Sequence, residues 1–147
     1  MGHVGLTPQT AVSLGGYRAQ GRTADRALDV GRDALALQDA GCFAIVFEAI
    51  PSEVAAALMP RMEALVIGIG AGPATDGQVL VFHDLLGIYD GHAPRFVKRY
   101  GNVRQAMVDG LAAYTADVRE RRYPESGHGY TMAPDEVARL NEALTNY

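Results

Sequence analysis

One glutamate stands out among the residues whose type and place could do chemistry. Glu48 follows the five apolar residues "FAIVF" and precedes "AIP", so its carboxylate lies where an apolar segment ends. Desolvation at such a point favours the neutral acid, which makes the carboxyl group a candidate general base. Two other interpretations remain open: Glu48 points to solvent at a strand end, or it pairs with an arginine such as Arg18 or Arg22.

A histidine and a glycine-rich turn are the next candidates. Gly2 and Gly5 leave room beside His3, whose imidazole could donate to a carbonyl or carboxylate, although a histidine near a terminus is more often structural or exposed. The segment "GIGAG" at 68–72 allows the close backbone approach that phosphate binding can use. It is not a full dinucleotide fingerprint, so tight strand-to-helix packing is its predicted role.

Two further sets of side chains could in principle ligate a metal. They are His83, Asp84, Asp90 and His92, and Glu125 with His128. Neither set has a recognised ligand spacing, and solvated loops are predicted for both.

Hydrophobic spacing predicts the elements that position these residues. A helix is predicted from Thr23 to Ala40, with Asp25 in its first turn and Gly41 as its stop. Its predicted apolar face is Ala24, Leu28, Ala34, Leu35 and Leu37. The run "CFAIVFEAIP" that follows is short, β-branched and aromatic, which favours a strand buried on both faces of a parallel sheet.

A second helix and a second strand continue this alternation. Ser52 is predicted to cap a short helix that Pro60 disturbs, and 64–72 is predicted as a strand closed by the glycine turn. Short connections between alternating helices and strands indicate α/β units with parallel strands. Ligands of such folds collect at the carboxyl ends of the strands, where we expect His3, Glu48 and the glycine turn.

The remainder of the chain is predicted to be mainly helical. The segment "DGQVLVFHDLLGIY" is compatible with a helix entered at Asp76 or a strand over 79–82. A short strand is predicted over 95–100 and an amphipathic helix over 102–121. Pro134 begins a terminal helix, expected to dock on this chain or on a neighbour. One side of that helix carries Val137, Leu140 and Leu144.

Composition limits the class of protein. The 147 residues are 48% hydrophobic and 20% charged, as in a globular domain. No apolar run approaches a membrane span and no signal peptide is recognisable, so a cytoplasmic location is expected. The net charge of -4 argues against non-specific nucleic-acid binding. Cys42 is predicted to be a small buried hydrophobe rather than a nucleophile.

Four long motifs occur in a fixed order. They are "MGHVGLTPQT…LGGYRAQGR", "AGCFAIVFEAIPSEVA", "IGIGAGPATDGQVLVFHDLLG" and "PRFVKRYGNV". From Met1 to about Tyr130 the chain resembles the ketopantoate hydroxymethyltransferase family. The resemblance implies an α/β fold, the C-terminal half of a (β/α)8 TIM barrel of the phosphoenolpyruvate/pyruvate superfamily type. Residues 1–130 would form the second half of the barrel, and residues 131–147 a C-terminal helical tail.

The resemblance also implies an activity. Members of the family transfer a hydroxymethyl group from 5,10-methylenetetrahydrofolate to 3-methyl-2-oxobutanoate, giving 2-dehydropantoate in pantothenate biosynthesis. It implies that Glu48 is the general base and that His3 contacts the keto acid. Mg²⁺ would chelate the keto and carboxylate oxygens of the substrate and stabilise the enolate as a Lewis acid. The expected partners are the keto acid and folate, within a homo-oligomer that is commonly a decamer, and neither nucleic acid nor membrane.

The family's first four strands, with its magnesium ligands, have no counterpart in this sequence. A complete barrel of this type needs about 250 residues, so the chain is expected to be the C-terminal half, a truncated or mis-started form beginning midway through a strand. One alternative is a non-catalytic half-barrel partner that lacks the metal site; another is a different magnesium-dependent carbon–carbon bond enzyme of the superfamily. Because a cut barrel exposes two sheet edges, the isolated chain is expected to self-associate and to lack magnesium-dependent turnover.

Overall fold

The computed structural model describes residues 1–145, and the chain divides into two compact units. The first unit is Met1–Arg104, and the second begins at Gln105. The strands are β1 (Gly2–Gly5), β2 (Ala44–Glu48), β3 (Leu65–Ile69) and β4 (Gly77–Gln78). The helices are α1 (Ala24–Asp39), α2 (Ser52–Leu58), α3 (Phe82–Leu85), α4 (Val103–Arg119) and α5 (Pro134–Thr145). The predicted boundary between a half-barrel over residues 1–130 and a helical tail over residues 131–147 presupposes a complete barrel, so it stays a prediction.

The four strands form one parallel sheet in the order β1-β2-β3-β4. Helices α1 and α2 lie in the connections between the first three strands, which confirms the predicted α/β units. The register places Gly5, Glu48 and Ile69 side by side at the carboxyl ends of β1, β2 and β3. Glu48 therefore lies between two neighbouring strands.

One face of this sheet is buried. Its core side chains are Val4, Ile45, Phe47 and Val66, packed with Val30 and Ala34 of α1 and Ala55 of α2. The strand predicted at "CFAIVFEAIP" is confirmed, but the prediction that both of its faces are buried is wrong. Val46 and Glu48 point to the other face and are only partly buried, because α1 and α2 pack against the first face.

Helix α1 confirms the helix predicted over 23–40. The side chain of Thr23 caps it by accepting a hydrogen bond from the backbone N–H of Arg26. The chain leaves the helix through Gly41, whose φ of +89° is the left-handed conformation that glycine adopts without strain. The cap and the glycine stop thus fix the length of α1, as the sequence predicts.

The buried stripe of α1 differs from the predicted face. Val30, Gly31 and Ala34 are buried, whereas Leu28 is exposed. A Cβ at Gly31 would lie 2.9 Å from Cδ2 of Leu58, so this glycine lets α1 approach the end of α2 closely. The close approach of α1 to α2 at Gly31, rather than the position of the largest apolar side chains, therefore determines which residues of α1 are buried.

Helix α2 differs from the prediction at its start and agrees with it at its end. Ser52 is the first residue of the helix and Pro51 occupies the cap position, with no side-chain cap bond, so the predicted Ser52 cap is wrong by one residue. The proline before it already fixes a backbone conformation from which a helix can start. The effect predicted for Pro60 is confirmed, because α2 ends at Leu58 and a 3₁₀ turn follows over Met59–Arg61.

The segment after the glycine turn contains parts of both predicted alternatives. Strand pairing is limited to Gly77–Gln78, ahead of the predicted 79–82, and the helix begins at Phe82 rather than at Asp76. The Oδ2 atom of Asp76 accepts a hydrogen bond of 2.8 Å from the N–H of Val66. This bond holds the chain against β3 at the point where a helix would otherwise start.

The strand predicted over 95–100 is wrong, because this segment is a turn followed by irregular chain. The N–H of Val97 donates to the carbonyl of Pro94 at 3.0 Å, and that of Tyr100 donates to the carbonyl of Leu85 at 2.8 Å. These two backbone N–H groups therefore bond locally and to the end of α3 rather than to a strand.

The predicted helices over 102–121 and from Pro134 are confirmed as α4 and α5. Neither contains a buried residue within the part of the chain that the structure describes. Docking of the apolar side of α5 therefore stays a prediction. None of the helices within residues 1–145 is long and apolar enough to cross a membrane.

Candidate active site

Glu48 lies at the carboxyl end of β2, where the sequence predicts the chemistry. Its side chain is 16% exposed and faces the side of the sheet that α1 and α2 do not cover. The side chain of His3, 31% exposed, projects from β1 on the same face, because His3 pairs with Val46 and strand side chains alternate. Register alone therefore makes the two candidate residues diagonal neighbours.

Nε2 of His3 lies 3.0 Å from Oε2 of Glu48. The two atoms are at ion-pair distance, but their approach does not meet hydrogen-bond geometry. Nε2 is buried and has no hydrogen-bond partner among residues 1–145. A buried nitrogen in this state has an unused hydrogen-bonding capacity beside a carboxylate, which a ligand group could satisfy.

The backbone after Glu48 is strained in a way that the sequence does not signal. Ala49 has a φ of +48°, an uncommon conformation for a residue with a Cβ. Its N–H donates to the carbonyl of Ile69 and its carbonyl accepts from the N–H of Gln20, both at 2.9 Å, while the carbonyl of Glu48 accepts from Leu6 at 2.9 Å. Bonds to both sides thus fix the end of β2. Strain held in this way is typical of functional sites.

A cavity of about 1120 Å³ opens over the carboxyl ends of the strands. Its charged and histidine side chains are Arg18, Glu48, Asp84, His92 and Arg95. Pockets that take drug-sized organic ligands have roughly this volume. Glu48, the last residue of β2, therefore lines a space large enough for a substantial ligand.

A smaller cavity of about 420 Å³ lies along β1 and is lined by His3, Gly5 and Leu37, among others. His3 thus borders the smaller cavity and Glu48 the larger one. Each candidate residue lines a cavity, although Nε2 of His3 is itself buried.

The glycine-rich turn has the packing role that the sequence predicts. A Cβ at Gly70, whose φ is +68°, would overlap the ring of Phe96, and one at Gly72 would overlap the side chain of Ser52. These glycines allow a loop and the start of α2 to close against the end of β3. The turn therefore shapes the wall of the large cavity.

A polar network next to this turn was not selected from the sequence. The Nε2 amide of Gln78 donates to the carbonyl of Gly72 at 2.9 Å and to Oγ1 of Thr75 at 2.8 Å. Thr75 Oγ1 donates in turn to the carbonyl of Gly77 at 3.0 Å. The only signal in the sequence is that the polar residues Thr75, Asp76 and Gln78 come within six positions of Gly72.

The arginine partners considered for Glu48 are not used. Within residues 1–145 neither Arg18 nor Arg22 forms an ion pair with it, and His3 occupies that position instead. Arg18 nevertheless lines the same cavity as Glu48. The alternative of a solvent-facing Glu48 does not hold either, since most of its side chain is buried.

The residues considered as metal ligands do not form a metal-binding cluster within residues 1–145. No group of three or more His, Cys, Asp or Glu side chains in the described part of the chain could hold a metal ion. Asp90 pairs with Arg104 at 2.6 Å. The N–H of Glu125 donates to Nδ1 of His128 at 3.2 Å, which is a turn-forming contact.

Fold and site together define an α/β protein with a carboxylate and an imidazole at the carboxyl ends of adjacent parallel strands. The sequence matches the ketopantoate hydroxymethyltransferase family over residues 1–126. The chain belongs to this family of transferases, as the four motifs predict.

Relatives of this chain carry the name 3-methyl-2-oxobutanoate hydroxymethyltransferase. The protein of Oleidesulfovibrio alaskensis is 48% identical over 145 residues, which are 99% of this chain and 50% of that protein. The protein of Carboxydothermus hydrogenoformans is 46% identical over 143 residues, covering 95% of this chain and 51% of that protein. The protein of Moorella thermoacetica is 48% identical over 130 residues, covering 88% and 48%. The chain thus spans about half the length of these relatives.

Proposed function

We propose that this protein takes part in the transfer of a hydroxymethyl group from 5,10-methylenetetrahydrofolate to 3-methyl-2-oxobutanoate, which gives 2-dehydropantoate for pantothenate biosynthesis. The names of its relatives support the reaction. The observation that carries the proposal is the Glu48 carboxylate, 3.0 Å from His3 at a strand end and facing a cavity of about 1120 Å³.

Glu48 would act as the general base. The proton on C3 of the keto acid is acidic because the adjacent carbonyl delocalises the charge that its removal leaves. The carboxylate takes this proton and becomes a carboxylic acid, and C3 then forms the new carbon–carbon bond to the one-carbon unit. Water supplies the hydroxyl oxygen and tetrahydrofolate leaves. The partial burial of Glu48 limits competition from bulk water for its oxygens.

His3 would bind the keto acid. Its Nε2 has no hydrogen-bond partner within residues 1–145 and lies beside the proposed base. An imidazole there can donate to a substrate oxygen and so orient C3 towards Glu48. In this proposal His3 is a binding residue and transfers no proton.

Magnesium is expected from the resemblance, but the residues at hand do not fit it. Glu48 and His3 are two groups, and no third His, Cys, Asp or Glu joins them in a cluster within residues 1–145. Magnesium also prefers oxygen ligands in an octahedral arrangement. We therefore assign the Mg²⁺ ligands to another part of the complete protein. The roles proposed for Glu48 and His3 do not pass through the ion.

The complete protein is proposed to be a (β/α)8 barrel of which this chain forms one half. The four parallel strands and the length ratio of about one half to the relatives support this. We further propose that the protein is cytoplasmic and a homo-oligomer, with the decamer as the expected form.

A second candidate function is a non-catalytic half-barrel partner. The observation that favours it is the lack of a metal-binding cluster within the described residues, together with exposed apolar side chains of the sheet such as Leu65. Such a protein would bind another half-barrel without turning over substrate. The same experiment separates the two candidates.

That experiment follows deuterium exchange at C3 of 3-methyl-2-oxobutanoate in D₂O with Mg²⁺. The chain alone is expected to give none, and the chain joined to the part of the Oleidesulfovibrio alaskensis relative that it does not match is expected to give exchange. Glu48→Gln should lower the rate of the joined protein by roughly 10²- to 10⁴-fold. Glu53→Gln, at an exposed glutamate in the first turn of α2, is the matched control and should leave it unchanged.

Two outcomes would contradict these assignments. Exchange that survives Glu48→Gln would show that another group removes the proton. A folded joined protein without exchange would favour the non-catalytic partner.

A further inference from the structure

Two arginines border the large cavity from different loops. Arg18 lies between β1 and α1, and Arg95 lies between α3 and α4. Both residues are exposed, and neither guanidinium has an ion-pair or hydrogen-bond partner in the part of the chain that the structure describes. By contrast, Arg104 in the same unit pairs with a carboxylate at 2.6 Å.

The charges around the cavity leave these arginines available for a ligand. Of the two carboxylates that line it, Glu48 is next to His3, and Asp84 belongs to α3. A guanidinium keeps its charge at all ordinary pH values, and its planar donors match the two oxygens of a carboxylate. The rim of the cavity thus carries two groups suited to carboxylates, on loops that approach from two directions.

Each arginine is also next to an aromatic residue that lines the cavity. Tyr17 precedes Arg18, and Phe96 follows Arg95. Two aromatic side chains paired with two cations suit a ligand in which an aromatic group is joined to carboxylates. The edge and face of the rings can pack on the aromatic group while the guanidinium groups bind the acids.

We propose that Arg18 and Arg95 bind the carboxylates of the glutamate tail of the folate donor. This inference rests on the proposed function, because it takes the one-carbon donor as the occupant of the large cavity. The keto acid must place C3 beside Glu48, and its own carboxylate is two carbons from that atom. The arginines lie on two separate loops, and a cavity of about 1120 Å³ has room for a much longer molecule than the keto acid.

The test measures dissociation constants of the joined protein, in which the chain is fused to the part of the Oleidesulfovibrio alaskensis relative that it does not match. The three probes are the amide of tetrahydropteroate, which has no carboxylate, tetrahydropteroylglutamate and its pentaglutamate. The wild type is expected to bind more tightly as glutamates are added, with a gain that high salt reduces. Arg18→Gln and Arg95→Gln should each weaken the glutamylated probes roughly tenfold and leave the amide unchanged. Arg22→Gln, at an exposed arginine that does not line the cavity, should change none of the three.

A second arm measures the dissociation constant of 3-methyl-2-oxobutanoate for the same variants, since its carboxylate could bind the same arginines as the carboxylates of a glutamate tail. Loss of keto-acid binding, with pteroylglutamate binding unchanged, would overturn the tail assignment and make the keto acid the source of the bound carboxylate. Equal binding of all three pteroyl probes by the wild type would overturn the inference and leave the proposed function standing. A folded joined protein that binds neither pteroyl probes nor keto acid would count against both.

Discussion

The two faces of the sheet differ in how they are covered. Towards α1 and α2, the side chains of Val4, Phe47 and Val66 are at most 4% exposed. On the opposite face Glu48 is partly buried and Leu65 is 61% exposed. Parallel sheets are ordinarily covered on both faces. The comparison teaches that the buried core lies on one face, while the candidate chemistry lies on the other, which we call the open face because α1 and α2 do not pack on it.

The largest effect is expected from the covered face. Phe47→Ala should lower the free energy of unfolding by about 3–5 kcal/mol, because a fully buried ring leaves a cavity that its neighbours cannot fill. Val46→Ala, one residue away on the open face, should cost less than about 1.5 kcal/mol. Urea denaturation followed by circular dichroism measures both. Equal losses would mean that the two faces contribute alike.

An intermediate effect is expected where β1 meets the site. A Cβ at Gly5, whose φ is +87°, would lie 2.3 Å from the carbonyl oxygen of Glu48. Gly5→Ala should therefore cost about 1–3 kcal/mol in backbone strain together with a displacement of β2. Gly15→Ala separates the two causes, since Gly15 has a similar φ of +80° and nothing within 4 Å. If both variants lose the same stability by thermal unfolding, the contact with Glu48 contributes nothing.

Substitution of the exposed Leu65 should have the smallest effect on stability and a clear effect on self-association of the chain. Leu65→Gln should change the free energy of unfolding by no more than about 0.5 kcal/mol, because the side chain is largely exposed. If the open face drives the expected self-association, sedimentation velocity should show a shift towards monomer. Leu28→Gln, at a leucine of α1 that is 62% exposed, is the control. A like shift with both variants would mean that association does not use the open face.

The sequence predicts elements well where a single local cause determines them. Helix α1 has a capping threonine and a glycine stop, and β2 is an uninterrupted apolar run, so neither depends on distant contacts. The segment over 95–100 has strand-like composition, but its hydrogen bonds go to Pro94 and Leu85. Periodicity in a short segment carries no information about such partners.

The sequence selects two candidate site residues but not their geometry. His3 and Glu48 were each selected from local pattern, yet their contact depends on the register between β1 and β2, which are separated by a loop and α1. The sequence instead suggested arginine partners for Glu48. The strain at Ala49 likewise arises from bonds to residues on both sides of β2 and leaves no trace in the local sequence.

The position of β1 at the edge of the sheet has a consequence for the life of the protein in a cell. Backbone groups along its outer side have no strand partner within residues 1–145, and such edges attract other unpaired chains. Chaperones and proteases continuously sort proteins with such unpaired strand edges. The abundance of this protein would therefore depend on how quickly another strand pairs with β1, and not on its free energy of folding alone. A pulse-chase half-life that lengthens when the part of a relative that this chain does not match is supplied in the same cell would reveal this dependence.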